Sequence, residues 1–354
     1  MMEQTIKKIK AVDKSITKEV EAYLDTLTKP PGSLGRLEEL AVQLAEITGE
    51  NFPQVTPPAI IVFAGDHGVV NEGVSAFPQA VTAQMVHNFL DGGSAINVLA
   101  NQLEAFLEVV DVGVAETIER DGLVVEKIGF GTKNFAEEDA LTKVEVEKAI
   151  RVGINMSEKV IGQGAKSLIL GEMGIGNTTS SSAILAAVSG AEVSKVVGTG
   201  TGISSETLIK KQRVIEQALA DRRPAKDDPL DILAKVGGLE IAAMVGAMLG
   251  GASRQTPILV DGFISTVAAI LATKLCSKVR DYLIFGHHSQ EAGHTFALAL
   301  LDAKPLLNLN FRLGEGTGAA MAFPILEAST RILREMATFS SAGVSDAEKG
   351  NAEN

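Results

Sequence analysis

The sequence predicts an α/β fold in which helices cover both faces of a parallel sheet. Four short apolar runs are each followed by a glycine-rich polar loop and then by a helix-like segment. Continuous apolar strands that alternate with helices are typical of a parallel sheet that is buried on both faces. The 35 glycines suit many tight loops, and the absence of Trp, with only two Tyr, argues against a protein that stacks on nucleic-acid bases.

The chain opens with two predicted helices ahead of the sheet. Residues 3–27 have the pattern of a polar amphipathic helix, and the Lys-Pro-Pro-Gly segment at 29–32 then breaks the chain. A second helix is expected to begin near Ser33. The Pro-Pro pair at 57–58 marks the entry to the main body, so the two helices form an N-terminal appendage.

The predicted strands all end at polar loops. In open α/β sheets, ligands bind at the carboxyl ends of the strands. The Asp, Glu, His and Asn side chains at the tips of these loops are therefore expected to line one cleft. The strands are predicted at residues 59–63, 168–170, 258–260 and 282–285, and the loops at 64–68, 171–177, 261–262 and 286–289.

Two glycine-rich loops are candidate phosphate sites. Residues 171–179 place glycines ahead of a helix that starts near Asn177 or Thr178, and an uncapped helix start binds phosphate well. The alternative is a capped helix after a tight turn, with Glu172 solvated. The Gly-Thr-Gly-Thr-Gly segment at 198–202 is equally compatible with a phosphate clamp and with a flexible turn. Neither loop has the phosphate-binding pattern of nucleoside-triphosphate hydrolases.

Ionisable residues in two further loops each have two interpretations. His287, His288, Glu291 and His294 have a spacing that permits metal ligation, but helix capping and cleft lining fit the pattern better. Glu315 lies in a glycine-rich turn before an apolar helix. It is equally compatible with a solvated turn residue and with a general base whose environment tunes its pKa.

Charge and composition exclude several classes of partner. A net charge of −12 argues against nucleic acid and against an anionic membrane surface. No apolar run reaches membrane-spanning length, and the N-terminus has no apolar signal-peptide core. The single cysteine, Cys276, fits a reducing cytosol, so a cytoplasmic protein is expected. The first strand also lacks the Gly-x-Gly-x-x-Gly loop of nicotinamide-dependent dehydrogenases.

Seven segments together resemble the nicotinate-nucleotide–dimethylbenzimidazole phosphoribosyltransferase family. They occur in the family's order and span residues 29 to about 330, which makes the combination highly specific. The matching segments are Lys-Pro-Pro-Gly-Ser-Leu-Gly-Arg-Leu at 29–37, Ala-Gly-Asp-His-Gly-Val at 64–69, Val-Thr-Ala at 81–83, Glu-Met-Gly-Ile-Gly-Asn-Thr-Thr at 172–179, Lys-Val-Gly-Gly at 235–238, Leu-Val-Asp-Gly-Phe at 259–263 and Arg-Leu-Gly-Glu-Gly-Thr-Gly-Ala at 312–319.

The resemblance implies a Rossmann-like catalytic domain and a homodimer. The large domain would comprise residues 57–324, and residues 1–56 plus about 325–354 would form a smaller helical domain from both chain ends. The resemblance also implies the reaction. A ring nitrogen of 5,6-dimethylbenzimidazole displaces nicotinate from C1 of the ribose of nicotinate mononucleotide. The product is α-ribazole 5′-phosphate, formed with inversion, for assembly of the cobalamin nucleotide loop.

The resemblance further assigns roles to individual residues. Glu315 matches the family's catalytic base, and Glu172 also lies in the active site. The attacking benzimidazole must lose its remaining N–H proton, which a partly desolvated carboxylate accepts. A second carboxylate would stabilise positive charge on the ribose. The expected substrate contacts are Gly174, Gly176, Asn177, Thr178, Gly200 and Lys211 at the 5′-phosphate, Phe77, Gln84 or Met85 at the benzimidazole, and Asp261, Leu313 and Gly314 from the matching motifs.

The implied reaction requires neither a metal ion nor a cofactor. Nicotinate leaves from a pyridinium and needs little acid assistance, and no pyrophosphate departs that would require a magnesium clamp. The chain differs from the family pattern at Thr199, where many relatives carry arginine, so backbone and hydroxyl donors are expected to hold the phosphate. A non-catalytic nucleotide sensor is the alternative class, but the density of ionisable groups at strand ends favours an enzyme.

Overall fold

Six strands form one sheet in the computed structural model, which describes residues 1–200 and 202–345. They are β1 (Pro58–Gly65), β2 (Phe106–Gly113), β3 (Leu123–Val125), β4 (Ser167–Met173), β5 (Ile258–Val260) and β6 (Leu283–Phe285). Neighbouring strands all pair in parallel, in the order β3-β2-β1-β4-β5-β6. This is the order of a Rossmann sheet, so the predicted fold class is confirmed.

The central strands are the ones that apolar runs predict. Residues 59–64 of β1 and 168–170 of β4 are fully buried. Periodicity does not reveal β2 and β3, because β3 is short and β2 carries charged residues within its apolar run. One of them, Asp111, is buried beside Lys127, with 2.8 Å between carboxylate and ammonium. A buried charge with a partner is compatible with a strand interior.

The α-helices are α1 (Met2–Lys8), α2 (Thr17–Thr26), α3 (Arg36–Thr48), α4 (Val81–Leu90), α5 (Ala95–Gln102), α6 (Lys143–Gly162), α7 (Asn177–Ser189), α8 (Val193–Val196), α9 (Ser205–Arg222), α10 (Pro229–Val236), α11 (Leu239–Ser253), α12 (Phe263–Leu275), α13 (His294–Leu300), α14 (Thr317–Glu335) and α15 (Phe339–Ala342), with 3₁₀ turns at Gly68–Glu72 and Ser277–Tyr282. Helices α11 and α14 pack on the sheet, both of them against β4 and β5. Among the described residues, no helix is long and apolar enough to cross a membrane.

Helices α6 and α11 approach each other unusually closely. A Cβ atom at Gly153 of α6 would lie 1.8 Å from the Ala243 carbonyl oxygen, and one at Gly246 of α11 would lie 1.9 Å from the Ile150 carbonyl oxygen. Glycine therefore permits backbone-to-backbone packing that no other residue allows. Since α11 is buried along almost its whole length, this contact fixes the helix that also packs on β1 and β4.

The chain ends form a small helical region. The single helix predicted over residues 3–27 is wrong: α1 and α2 are separate, because the Asp13 N–H donates to the Glu46 carbonyl (2.9 Å) and ties the intervening loop to α3. A small apolar cluster joins α2 and α3 to the end of α14. The division into residues 57–324 and 1–56 plus about 325–354 stays a prediction, and residues 346–354 lie outside the described residues. The buried members of the cluster are Val20, Leu24, Leu27, Ala41, Ala45 and Leu333.

Candidate active site

A cavity of about 360 Å³ opens at the carboxyl ends of β4, β5 and β6. It lies beside the point where the strand order reverses between β1 and β4, which is where open α/β sheets bind ligands. The loops after these strands supply its floor, and α4, α9 and the loop before α14 supply its walls. Of the predicted site residues, the lining includes Phe77, Met85, Glu172, Gly174, Gly176, Asn177, Thr178, Gly200, Lys211, Asp261, Leu313, Gly314 and Glu315.

The loop after β4 leads directly into the start of α7. Gly176 precedes the helix with a φ angle of 98°, a conformation that favours glycine. Gly174 lies against β1, because a Cβ atom there would be 2.2 Å from the Gly65 carbonyl oxygen. The sequence therefore places the first turn of α7, with Asn177 and Thr178, at the cavity wall. A helix start without a side-chain cap is suited to an anion.

A buried ammonium group faces this helix start from α9. Lys211 is 1% exposed, and its Nζ donates to the Thr178 hydroxyl at 2.9 Å. Burial lowers the pKa of Lys211 to about 8, and the nearby Glu291 carboxylate opposes that shift. The predicted loop at 198–202 contributes Gly200 to the cavity, whereas Thr201 lies outside the described residues.

Two charged groups in this wall, Arg312 and Glu291, were not among the predicted substrate contacts. Arg312 Nη1 donates to the Gly200 carbonyl at 3.4 Å, so a guanidinium reaches the loop that contains Thr199. The spacing of the histidines presents Glu291 only as a metal ligand, yet its carboxylate lies against the 198–202 loop, since a Cβ atom at Gly198 would be 2.7 Å from Glu291 Oε2. Burial raises the Glu291 pKa, and Lys211 opposes the shift. No local pattern signals either contact, because both cross between distant segments.

Glu172 ends β4 with its side chain buried at 6% exposure. The Asn177 side-chain amide donates to its carboxyl group. Burial raises the pKa of Glu172 well above its ordinary value, and repulsion from Glu240, Asp261 and Glu315 adds to the rise. The interpretation as a solvated turn residue is therefore wrong for Glu172. These surroundings favour its neutral form.

Glu315 lies close to Glu172 on a tightly confined turn. It is 4% exposed and has a φ angle of 63°, in the left-handed region. The turn contacts β4, since a Cβ atom at Gly171 would lie 2.3 Å from the Glu315 carbonyl oxygen. Burial raises the Glu315 pKa to about 7; the Ile96 amide opposes this shift and Asp261 adds to it. A carboxyl group with such a pKa is suited to general base catalysis near neutral pH.

The predicted base contacts are only partly brought together. Phe77 (47% exposed) and Met85 line the cavity beside Val81. Gln84 does not line it and is exposed on α4, so the structure does not support that residue as a contact. Its helix neighbour Thr82 faces inward instead, where its hydroxyl accepts a hydrogen bond from the Ile175 N–H at 3.0 Å. Two positions along a helix turn a side chain by about 200°, to the opposite face.

Three histidines lie close together at one side of the cavity: the ring centroids of His287 and His288 are 6.2 Å and 5.6 Å from that of His294, and His287 lines the cavity. The backbone N–H of Ser289 donates to His294 Nδ1 at 2.8 Å, and His294 Nε2 lies 3.0 Å from the Thr266 hydroxyl. Both ring nitrogens of His294 are thus used within the protein, and burial lowers its pKa to about 3. Within residues 1–200 and 202–345, no group of three or more His, Cys, Asp or Glu side chains is arranged to hold a metal ion.

Asp66 and His67, which follow β1, are buried and do not line the cavity. His67 Nε2 is 2.7 Å from the Glu240 carboxylate, and both side chains are fully buried. His67 packs against the loop after β4, since a Cβ atom at Gly176 would lie 3.1 Å from His67 Cβ. The motif at residues 64–69 therefore supports the loop after β4 without lining the cavity.

Comparison with known proteins gives one family. A phosphoribosyltransferase family model matches residues 9–344. The nicotinate-nucleotide–dimethylbenzimidazole phosphoribosyltransferase of Geotalea uraniireducens (strain Rf4) is 50% identical over 349 residues, which cover 98% of this chain and 99% of that protein. The protein of the same name from Halalkalibacterium halodurans is 49% identical over 346 residues, covering 98% and 97% of the two chains.

Structural comparison agrees with the sequences. The crystal structure of the phosphoribosyltransferase of the same name from Thermus thermophilus matches with a TM-score of 0.89 and 44% sequence identity, covering 95% of this chain and 100% of that chain. The family model and the relatives extend over nearly the whole sequence, as the seven motifs do. The family prediction is confirmed: the chain belongs to the nicotinate-nucleotide–dimethylbenzimidazole phosphoribosyltransferase family.

Proposed function

We propose that this chain transfers the 5-phosphoribosyl group of nicotinate mononucleotide to 5,6-dimethylbenzimidazole, giving α-ribazole 5′-phosphate and nicotinate. The observation that carries the proposal is the division of one cavity into a cationic end, where Lys211 and Arg312 accompany the single Glu291 carboxylate, and a carboxyl end, with Glu172 and Glu315. The substrate has the same division, a phosphate at one end and a reacting carbon at the other. The names of the relatives specify the same pair of substrates.

The 5′-phosphate would occupy the cationic end. Donors there are the first turn of α7, the Thr178 hydroxyl, the Lys211 ammonium and the Gly200 loop. Backbone amides at a helix start combine with a buried cation to favour a dianion over a neutral ligand. Arg312, on the far side of Gly200, adds positive charge to this wall.

Glu315 would act as the general base. The lone pair of one benzimidazole nitrogen attacks C1 of the ribose, and the bond from C1 to the pyridinium nitrogen breaks with its electron pair leaving on nicotinate. The other benzimidazole nitrogen then loses its proton to the Glu315 carboxylate. A pKa of about 7 leaves a substantial carboxylate fraction at neutral pH while keeping the group basic enough to accept this proton.

Glu172 would take a complementary part beside the ribose. Its strongly raised pKa favours the neutral acid before substrate binds. A nearby positive charge lowers the pKa of a carboxyl group, so the pyridinium of bound nicotinate mononucleotide would favour ionisation. The Glu172 carboxylate would then stabilise the positive charge that develops on the ribose ring.

The benzimidazole would occupy the apolar wall that Phe77, Val81 and Met85 form. A flat, largely apolar ring is suited to a slot of this kind with one polar end.

We also propose a cytoplasmic homodimer: the single cysteine suits a reducing compartment, and the family resemblance suggests the dimer. Light scattering on the purified protein measures its mass, and a monomer would contradict that part.

The first test is product formation from nicotinate mononucleotide and 5,6-dimethylbenzimidazole without added metal, with wild type and Glu315→Gln side by side. We expect the wild type to form the α-linked nucleotide and the variant to lose about 10²–10⁴-fold in kcat, the range of general base contributions. Undiminished turnover in the variant would move the base to another group, with Glu172 next. Nucleotide binding without any product, from any benzimidazole tested, would instead favour the non-catalytic sensor.

A further inference from the structure

Asp261 closes β5 and points its carboxylate at the start of α14. Asp261 Oδ1 accepts a hydrogen bond from the Ala319 N–H at 2.8 Å. Burial raises the pKa of this carboxyl group, and the nearby Gly316 and Gly318 amides oppose that shift. The residue is 4% exposed. A carboxylate at a helix start satisfies amides that have no partner within the helix and complements the helix dipole. Asp261 therefore binds the segment that directly follows Glu315.

The turn that carries Glu315 depends on such support. Gly314, Glu315 and Gly316 have φ angles of 96°, 63° and 86°. A left-handed conformation at glutamate is unfavourable, and it persists only where the surrounding structure imposes it. Two contacts impose it here: the close approach of Gly171 on one side and the Asp261 carboxylate on the other.

His287 holds Asp261 in turn. Its Nε2 lies 3.6 Å from Asp261 Oδ1, and it is 3% exposed. The ring is wedged between two glycines: a Cβ atom at Gly318 would lie 2.0 Å from the ring, and one at Gly262 would lie 3.2 Å from Nε2. The backbone at Gly262 and Gly318 thus confines the imidazole beside the Asp261 carboxylate.

We propose that Asp261 is a positioning residue, which holds the Glu315 carboxyl group at the reacting centre through the first turn of α14 and is itself supported by His287. This role differs from the substrate contact that the motif predicts for Asp261. It rests on the proposed function of Glu315 as the base. Because carbon–nitrogen bond formation and proton transfer occur at fixed atoms, a shift of this turn would reduce turnover without altering the phosphate end of the cavity.

The Asp261 charge has a second, electrostatic consequence. Burial is the main reason for the raised Glu315 pKa, and repulsion from Asp261 adds to it, whereas the Ile96 amide opposes it. The other titratable groups near this corner are Glu172 from β4 and His287 after β6. Removing the Asp261 charge therefore lowers the Glu315 pKa, so a larger fraction is ionised at acidic pH and each carboxylate is a weaker base.

The test is Asp261→Asn, which preserves size and an acceptor oxygen but removes the charge. We expect kcat to fall by as much as about 100-fold, the cost of a misplacement near 1 Å. The KM for nicotinate mononucleotide should stay unchanged, and the acid limb of the kcat profile should move to lower pH. Hydrogen exchange at the Ala319 amide should accelerate. His287→Gln should lower kcat and accelerate this exchange by less, with the acid limb left in place because the Asp261 charge is retained.

A matched control is Asp111→Asn. Asp111 also lies near the carboxyl end of a strand, is fully buried, and accepts hydrogen bonds from the Gly113 and Val114 amides, but it does not line the cavity. We expect this variant to lower the melting temperature and to leave the acid limb in place. If Asp261→Asn behaves like Asp111→Asn, its role is structural only and the proposal fails.

Other outcomes are equally decisive. A raised KM with unchanged kcat and acid limb would make Asp261 a substrate ligand and overturn the positioning role. If Asp261→Asn does not fold, the kcat of His287→Gln and its exchange at the Ala319 amide decide, and unchanged values of both would refute the proposal. If wild type forms no product, the proposed function fails; carboxyl NMR titration of Glu315 and exchange at the Ala319 amide then test the link to Asp261 without turnover, and unaltered values in the variants would refute it.

Discussion

The two ends of the cavity are built differently. At the cationic end, Lys211 and Arg312 reach in on long side chains toward a helix start and a loop. At the carboxyl end, short backbone contacts through Gly171 and the Asp261 carboxylate fix Glu315. In the proposed reaction, the end that would hold the phosphate relies on long side chains, whereas the end that would move a proton has its backbone confined. Affinity and turnover should therefore respond to different substitutions.

Replacing the buried ammonium group tests the cationic end most strongly. Lys211→Met removes one charge-assisted hydrogen bond of about 1.5–3 kcal/mol, so the KM for nicotinate mononucleotide should rise about 10–150-fold while the acid limb of kcat stays in place. Lys210→Met, one position away on an exposed site, is the matched control and should have little effect. Steady-state kinetics decide, and a fall in kcat with unchanged KM would contradict the division.

Titration sharpens the comparison, because the two ends lose function in opposite directions. Glu315 must be ionised to accept a proton, so kcat should fall about tenfold per unit of pH below its pKa of about 7. Lys211 must be protonated to bind phosphate, so kcat/KM should decline above its pKa of about 8. Profiles measured for both parameters test this. Loss of the alkaline limb in Lys211→Met would support the assignment, and its persistence would refute it.

Crowding the turn tests whether its backbone confinement matters. Gly171→Ala places a methyl group 2.3 Å from the Glu315 carbonyl oxygen, so we expect a loss of about 1–3 kcal/mol in the free energy of unfolding from overpacking. The kcat should fall as well, with KM for the nucleotide retained. Gly162→Ala, where a Cβ atom meets nothing within 4 Å, is the control for denaturant unfolding and kinetics. Equal effects of both substitutions would remove the special status of the turn.

The apolar wall should give the smallest effect. Phe77 is 47% exposed, so Phe77→Ala removes only part of a ring's contact and should raise the KM for 5,6-dimethylbenzimidazole by roughly tenfold or less, near 1 kcal/mol. The KM for the nucleotide should not move. Phe130→Ala, at a site 64% exposed and outside the cavity lining, serves as control. If Phe77→Ala raised the KM for the nucleotide alone, the 5,6-dimethylbenzimidazole would have to bind elsewhere in the cavity.

The strands and site residues that could be predicted are those that local sequence patterns determine. Apolar runs located β1, β4, β5 and β6 because strands buried on both faces have no polar positions to interrupt them. The motifs predicted that Glu172 and Glu315 share one site, and both line the same cavity. Contacts between distant segments were not predictable, such as that of Arg312 with Gly200, 112 positions away in sequence. The face of α4 that lines the cavity was not predictable either, and Gln84 lies on the exposed face. Such facts depend on how elements pack, which no local window of sequence contains.

The glycine contact between α6 and α11 has a consequence for how this protein can diversify. Positions 153 and 246 admit no side chain, since even a methyl carbon would lie within 2 Å of a backbone oxygen. The segment that lines the apolar wall, around Phe77, is partly exposed and meets no such limit. In a saturation library scored for growth, we expect two kinds of site: helix-contact positions that accept glycine alone, and rim positions where substitutions retune the choice of base. New lower-ligand preferences would therefore arise at the rim while the scaffold stays fixed.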